Sequence, residues 1–259
     1  MKREVKELKR IARGNLQGNF LELIRAFVFC NLIISLIEMP FSMTRNEILF
    51  STQNIIYYVA VILITVASVV LTVGQYCLHL GVARTGELHL SEMFYPIKYD
   101  SNRLIIAEAI LFVIRLVALA PVIGAIAIIY FYEEINMYLV ALGLSIIGCV
   151  LTVLVEITFG LTYFVFIDGE ELSVMEALKA SIQLVKKQRG RFFYMQLSFI
   201  GMYLLVLLTL GLGILWVQPY VMQTTTLFYL DTKGELDEVL ENRKKAKPTP
   251  EPVAFDSYA

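Results

Sequence analysis

The sequence predicts an all-α integral membrane bundle, with about six transmembrane helices and one amphipathic helix at the cytoplasmic surface, on three observations. Apolar residues make up 58% and charged residues 17% of the 259-residue chain, with a mean hydropathy of +0.68, against about 45–50% and about 25% in soluble domains. The apolar residues gather into runs of about 20 or more, the length that a helix rising 1.5 Å per residue needs to cross about 30 Å of hydrocarbon. The charged residues gather between those runs, so a formal net charge of -1 conceals strong segregation.

Residues 1–19 form a basic segment of helical pattern. The first apolar run, 20–38, follows it without a small-residue cleavage site, so the start of the chain is expected to be retained rather than removed as a signal peptide. Further spans are expected at 55–82, 104–131 and 136–167; they exceed what the bilayer requires and must tilt or extend beyond it. The last apolar region, Phe192 to Tyr229, is too long for one ordinary span and is interrupted by Gly211 and Gly213. A tight hairpin there gives spans at 192–210 and 213–230, while the same glycines also fit a kinked or re-entrant element.

Cation placement supports the even count. Nineteen of the 22 lysines and arginines lie within residues 2–13, 84–103, 179–191 and 233–247; the other three are Arg25, Arg45 and Arg115. With six spans those four segments share one face, which the positive-inside rule makes cytoplasmic. Five spans would place the basic tail outside. A multi-pass protein of the plasma membrane with both termini in the cytoplasm is the expectation.

Between the fourth and fifth spans, residues 173–189 read as an amphipathic helix. Ser173 and Glu176 form a capping box, Val174, Leu178, Ile182 and Val185 recur at helical spacing, and Gly190 supplies a stop. Lys179, Lys186, Lys187, Arg189 and Arg191 are the candidate contacts for anionic lipids at the cytoplasmic face. A plain inter-span linker with a solvated charged face is the alternative. Residues 232–259, ending in Lys247-Pro-Thr-Pro-Glu-Pro252, are expected to be disordered. On the extracytoplasmic side there is only the loop from Glu38 to Asn54 and a short turn at Glu133-Glu134, too little for a binding domain.

Two ionisable residues fall deep within apolar runs, Arg115 in the third span and Glu156 in the fourth. Each costs about 2.5–3.5 kcal/mol to insert. Folding the chain back near Ile135 sets them opposite each other, each about 16 Å from the inner boundary, so they are expected to pair. Glu108, seven residues before Arg115, shares its face and extends a polar path toward the cytoplasm. The alternative is an ion pair that only fixes helix register. Glu22 and Arg25 lie in the first turns of the first span, where long side chains reach the headgroups. Pro121 and Pro219 are expected to break hydrogen bonds in their helices.

Several chemistries lack any support. No HExxH, GxSxG or GxxxxGK motif is present, His79 and His89 stand apart without a ligand pattern, and Cys30, Cys77 and Cys149 lie singly in apolar runs. No catalytic residue, cofactor or metal is assigned. Basic residues without a recognition module exclude a nucleic-acid partner.

The C-terminal half carries a resemblance. Glu176-Ala-Leu178 with Ser181, Gly190 and Phe193, Leu197-Ser-Phe-Ile-Gly201, Leu208-Thr-Leu-Gly211 with Gly213, Leu215-Trp216, Pro219-Tyr220, Thr224 and Phe228-Tyr229, with weaker echoes at Leu16-Gln-Gly18, Ala83-Arg84 and Pro121 with Gly124, resemble a family of uncharacterised bacterial membrane proteins, domain of unknown function 975. Met202 and Ala120 depart from its pattern, where tryptophan and isoleucine are common. The resemblance implies a multi-pass membrane protein and brings no activity. Three functions remain: a non-catalytic component binding lipid or another membrane protein, a transporter or channel using Arg115, Glu156 and Glu108, and an intramembrane lipid-modifying enzyme. A cavity reaching Arg115 and Glu156 is the discriminating feature.

Overall fold

The computed structural model describes residues 2–43, 51–99, 101–132, 134–169 and 171–246. Arg45, Glu133 and residues 247–259 therefore lie outside the described residues. Twelve α-helices and a 3-10 turn at Leu90–Phe94 make up the regular structure there: α1 Val5–Leu16, α2 Phe20–Ser42, α3 Thr52–Thr85, α4 Tyr95–Tyr99, α5 Ser101–Phe131, α6 Ile135–Phe159, α7 Thr162–Asp168, α8 Val174–Lys186, α9 Arg189–Leu197, α10 Ile200–Leu208, α11 Ile214–Lys233 and α12 Leu236–Ala246. No strand occurs among the described residues. Helix assignment runs unbroken through Pro121 in α5 and Pro219 in α11.

Among the described residues, five helical stretches are long and apolar enough to cross a membrane: Phe20–Ser42, Thr52–Thr85, Ser101–Phe131, Ile135–Asp168 and Arg189–Leu208. Their surfaces are mostly outward-facing and aliphatic, as lipid-facing helices must be. The remaining long helix, α11, has the opposite character. It carries Gln218, Gln223 and Thr224-Thr-Thr226, and nearly every residue from Val217 to Asp231 is buried by α1, α2, α3, α8 and α10. Its threonine hydroxyls donate to backbone carbonyls four residues earlier, and Gln223 Oε1 lies 2.7 Å from His79 Nδ1 of α3. A polar helix is stable here because its threonine hydroxyls and the Gln223 carbonyl oxygen find partners within the protein.

Contacts fix how far α11 reaches. Gln223 stands beside His79, Pro219 near Gln75, and Glu235 beside Arg84, so α11 and α3 run parallel. By the helix rise, the hairpin tip at Leu208–Gly213 stops about 25 Å short of the far end of α3. At that tip Leu208 and Leu210 are 80% and 95% exposed. Leu210 adopts a φ of 51° and Gly211 one of 93°, the left-handed geometry that glycine accepts without strain. The turn closes its own hydrogen bonds: the amides of Thr209, Leu210, Gly211, Leu212, Ile214 and Leu215 donate to backbone carbonyls, and Gly213 N donates to Thr209 Oγ1. An apolar turn with its donors satisfied internally is stable in hydrocarbon.

The charged segments meet at the opposite end. The N-terminal residues, the 84–103 connection, the 168–191 segment and the α11–α12 junction are joined there by direct bonds between Arg3 and Asp237, Arg84 and Asp168, Arg103 and the Gly169 carbonyl, and Arg191 and Asp231. Residues 236–246 form a helix where disorder was expected: Leu236 is buried, Leu240 packs on the core, and acids at its start and bases at its end suit the helix dipole. The basic N-terminal segment of helical pattern is α1, packed on the bundle: Val5, Leu8, Ala12 and Leu16 are buried, Lys9 sits 3.9 Å from the Phe199 ring centre, and Arg13 donates to the Tyr220 hydroxyl.

In α8 the capping box is complete. Ser173 Oγ accepts from Glu176 N, and the Ser173 amide and hydroxyl donate to the Glu176 carboxylate, holding that carboxyl below its usual range. Because the folded value is lowered, the cap stabilises above the ordinary carboxylate range and is lost as pH falls through it. Ser173→Ala is expected to lower the melting temperature by about 2 °C, read by circular dichroism in detergent. The helix breaks at Lys187 and Gln188, and Gly190, expected to be the stop, lies within α9. At Gly74 a Cβ would stand 2.2 Å from the Met93 carbonyl oxygen, which as backbone cannot yield easily. Gly74→Ala is expected to cost about 1–3 kcal/mol, measurable as a loss of thermal stability in the same assay.

Candidate functional site

The α5–α6 hairpin builds the centre of the site. Glu108 and Arg115 lie two turns apart on one face of α5, and the turn before Ile135 brings α6 back alongside, so Glu156 reaches the same level. Arg115 Nε is 3.0 Å from Glu156 Oε1, and Arg115 Nη1 is 2.7 Å from Glu108 Oε1. The Tyr163 hydroxyl of α7 donates to the other Glu108 oxygen at 2.5 Å. Tyr163 is itself stacked on Tyr76 of α3, with ring centres 5.8 Å apart. Side-chain exposure falls from 54% at Glu156 through 27% at Arg115 to 8% at Glu108. The three charges therefore form a chain running inward from an open carboxylate to a buried one, with one negative charge in excess.

Beside this chain is a cavity of about 510 Å³. α6 contributes Thr152, Val153 and Glu156 to it, α9 and α10 contribute Phe193, Gln196 and Tyr203, and α11 contributes Gln218 and Thr225. Its buried lining combines Thr225 with apolar Ile157, Phe192, Val221 and Met222; Arg115, Gln196 and Gln218 are half-buried, and Glu156, Val153, Phe193, Ile200 and Tyr203 are exposed. α6 packs on α9 but only sparsely on α10. The mouth accordingly opens sideways between the apolar faces of α6, α9 and α10.

Two ring pairs lie between Phe192 of the cavity lining and the charged end. Phe164 stacks on Tyr229 at 5.0 Å and Phe192 meets Phe228 at 5.1 Å. Behind them Asp168 accepts from Arg84 at 2.8 and 2.9 Å, from the Tyr229 hydroxyl at 2.7 Å and from Lys233 at 2.9 Å. Arg103 donates to the carbonyls of Phe166, Gly169 and Leu172, capping the end of α7.

The lipid-contact candidates divide. Lys179, Lys186, Lys187 and Arg189 are exposed on α8 and the start of α9. Arg191 is not available to a headgroup: its guanidinium is 2.7 Å from the buried Asp231 carboxylate and also donates to the Arg3 carbonyl. Alone, its position in a basic cluster hid that partner, 40 residues away in sequence. Glu22 and Arg25 bond to each other at the start of α2. Tyr163, Asp168 and the cavity-lining glutamines went unread in the sequence. For Gln218 and Gln223 a signal existed, since two glutamines and three threonines are costly in a lipid-facing helix. Among the described residues no cluster of His, Cys, Asp and Glu suits a metal ion.

A family model described as protein of unknown function (DUF975) matches residues 1–235 of the chain. No curated protein and no solved structure matches it.

Proposed function

We propose a function for this chain, which belongs to the DUF975 family of proteins of unknown function, from its own geometry: a non-catalytic membrane protein that binds an amphiphile drawn from the bilayer. One observation carries the reading, the cavity of about 510 Å³ that sets charged and amide groups of Arg115, Glu156, Gln196 and Gln218 beside apolar surface, with two aromatic pairs as a floor toward the charged end. An amphiphile matches that mixture, head against the polar groups and tail along the apolar surface.

In this reading α2, α3, α5 and α6 cross the membrane, and α9–α10 with α11 form a re-entrant hairpin whose leucine tip stays in hydrocarbon. The number of crossings is even, so both termini share the basic face, which is cytoplasmic by the positive-inside rule. The plasma membrane is the site of action, and Lys179, Lys186, Lys187 and Arg189 bind anionic headgroups around α8. Transport along Glu156, Arg115 and Glu108 is the second reading, favoured by the reach of these charges about 10 Å farther toward the basic face. The aromatic floor supports binding over passage.

Native mass spectrometry of protein released from a bilayer tests the proposal. A bound amphiphile is expected on the wild type and in reduced amount on Gln196→Trp, whose indole obstructs the cavity, provided both variants melt alike. Bare wild-type protein, or equal retention by the tryptophan variant, would count against it.

A further inference from the structure

We infer that the ligand of this cavity is a hydrophobic organic cation, an amine or quaternary ammonium with an apolar body, and that Glu156 is its counter-ion; the inference rests on the amphiphile-binding reading. The charge balance leads to it. Arg115 is shared by two carboxylates. Glu108 has both oxygens engaged, one by Arg115 and one by Tyr163, and is buried. Glu156 has a single bond to Arg115 and more than half of its side-chain surface open.

Arg115 and Glu156 are the charged side chains lining the cavity among the described residues. Once Glu108 is counted, the site holds one unbalanced negative charge beside a mouth without water. Coulomb interactions there are several-fold stronger than in water, so an anion is repelled and a neutral amphiphile leaves the excess charge in place. A cation removes it.

The aromatic lining points the same way. Tyr76, Tyr163, Phe192, Phe193 and Tyr203 all border the space, and a ring face attracts an ammonium group through its quadrupole. Rings together with one half-open carboxylate recognise a soft cation, whereas a phosphate or sulfate head would have to displace Glu156 from Arg115 and would otherwise find only the Gln196 and Gln218 amides. Val153, Ile157 and Val221 supply apolar wall for the body of the ligand.

Tetraphenylphosphonium and tetraphenylborate, of like shape and opposite charge, are the probes, titrated into the full-length protein in dodecyl maltoside. Saturable binding of the phosphonium, no competition by the borate, and at least tenfold weaker phosphonium binding to Glu156→Gln are expected, with Glu156→Asp retaining it. Borate binding as tight as phosphonium, or a change within twofold for Glu156→Gln, would overturn the inference. Should Glu156→Gln not stay monodisperse, Tyr203→Leu decides: at least threefold weaker binding supports the aromatic contribution, and unchanged binding overturns it. A bound neutral or zwitterionic amphiphile in mass spectrometry, without phosphonium binding, removes the charge assignment and leaves the amphiphile reading standing; loss of both removes both.

Discussion

Replacing Asp168 by alanine is expected to lower the melting temperature by about 6 °C or more, corresponding to about 3 kcal/mol. The carboxylate accepts from Arg84, Tyr229 and Lys233 at once and is 12% exposed. Its removal takes the acceptor from the buried Tyr229 hydroxyl and leaves the two cations with Glu235, 3.5 Å from Arg84 and 2.6 Å from Lys233, as their carboxylate partner among the described residues. That residual partner keeps the loss at the lower end of the range for broken buried ion pairs. Asp168→Asn, which retains an acceptor, is expected to lose less than Asp168→Ala. Equal melting of all three proteins in detergent would show that this junction does not hold the basic end together.

Arg115→Leu is expected to be as damaging, about 3–5 kcal/mol, because it strands the buried Glu108 carboxylate beside Tyr163 alone. Adding Glu108→Gln is expected to recover at least half of the loss, since the uncompensated charge then disappears. Exchanging charges between positions 115 and 156 sets a carboxylate at position 115 against Glu108, so recovery requires Glu108→Gln as a third change. Thermal melts of the single, double and triple variants measure each step. If Glu108→Gln gave no recovery, the stranded charge would not be the cause.

Much of the bundle is legible in one dimension because lipid imposes a simple rule on the residues that face it. The runs that became α2, α3, α5 and α6 had to be long and apolar, and Arg115 and Glu156 stood out because ionisable residues are rare at such depth. α11 obeys a different rule. It is surrounded by protein, so its threonines and glutamines carry no lipid signature, and an average over Phe192 to Tyr229 hides the contrast with α10. The Leu236–Ala246 helix escaped notice because a proline-rich stretch follows it, while its two anchoring leucines are too few to register as a period. Asp168 looked like a loop residue at the end of a span; its three donors come from residues 84, 229 and 233, a convergence that no local pattern reports. Arg191 misled for the same reason.

The central claim is that the cavity beside Arg115 and Glu156 opens to lipid and is shut toward the basic face. A nitroxide placed through Gln196→Cys, in a background where the exposed Cys149 is replaced by serine, reads this directly by electron paramagnetic resonance in a bilayer. Fast relaxation by dissolved oxygen with little by a water-soluble nickel chelate is the predicted result. Strong relaxation by the nickel chelate would contradict it, revealing an aqueous passage in place of a lipid-facing mouth.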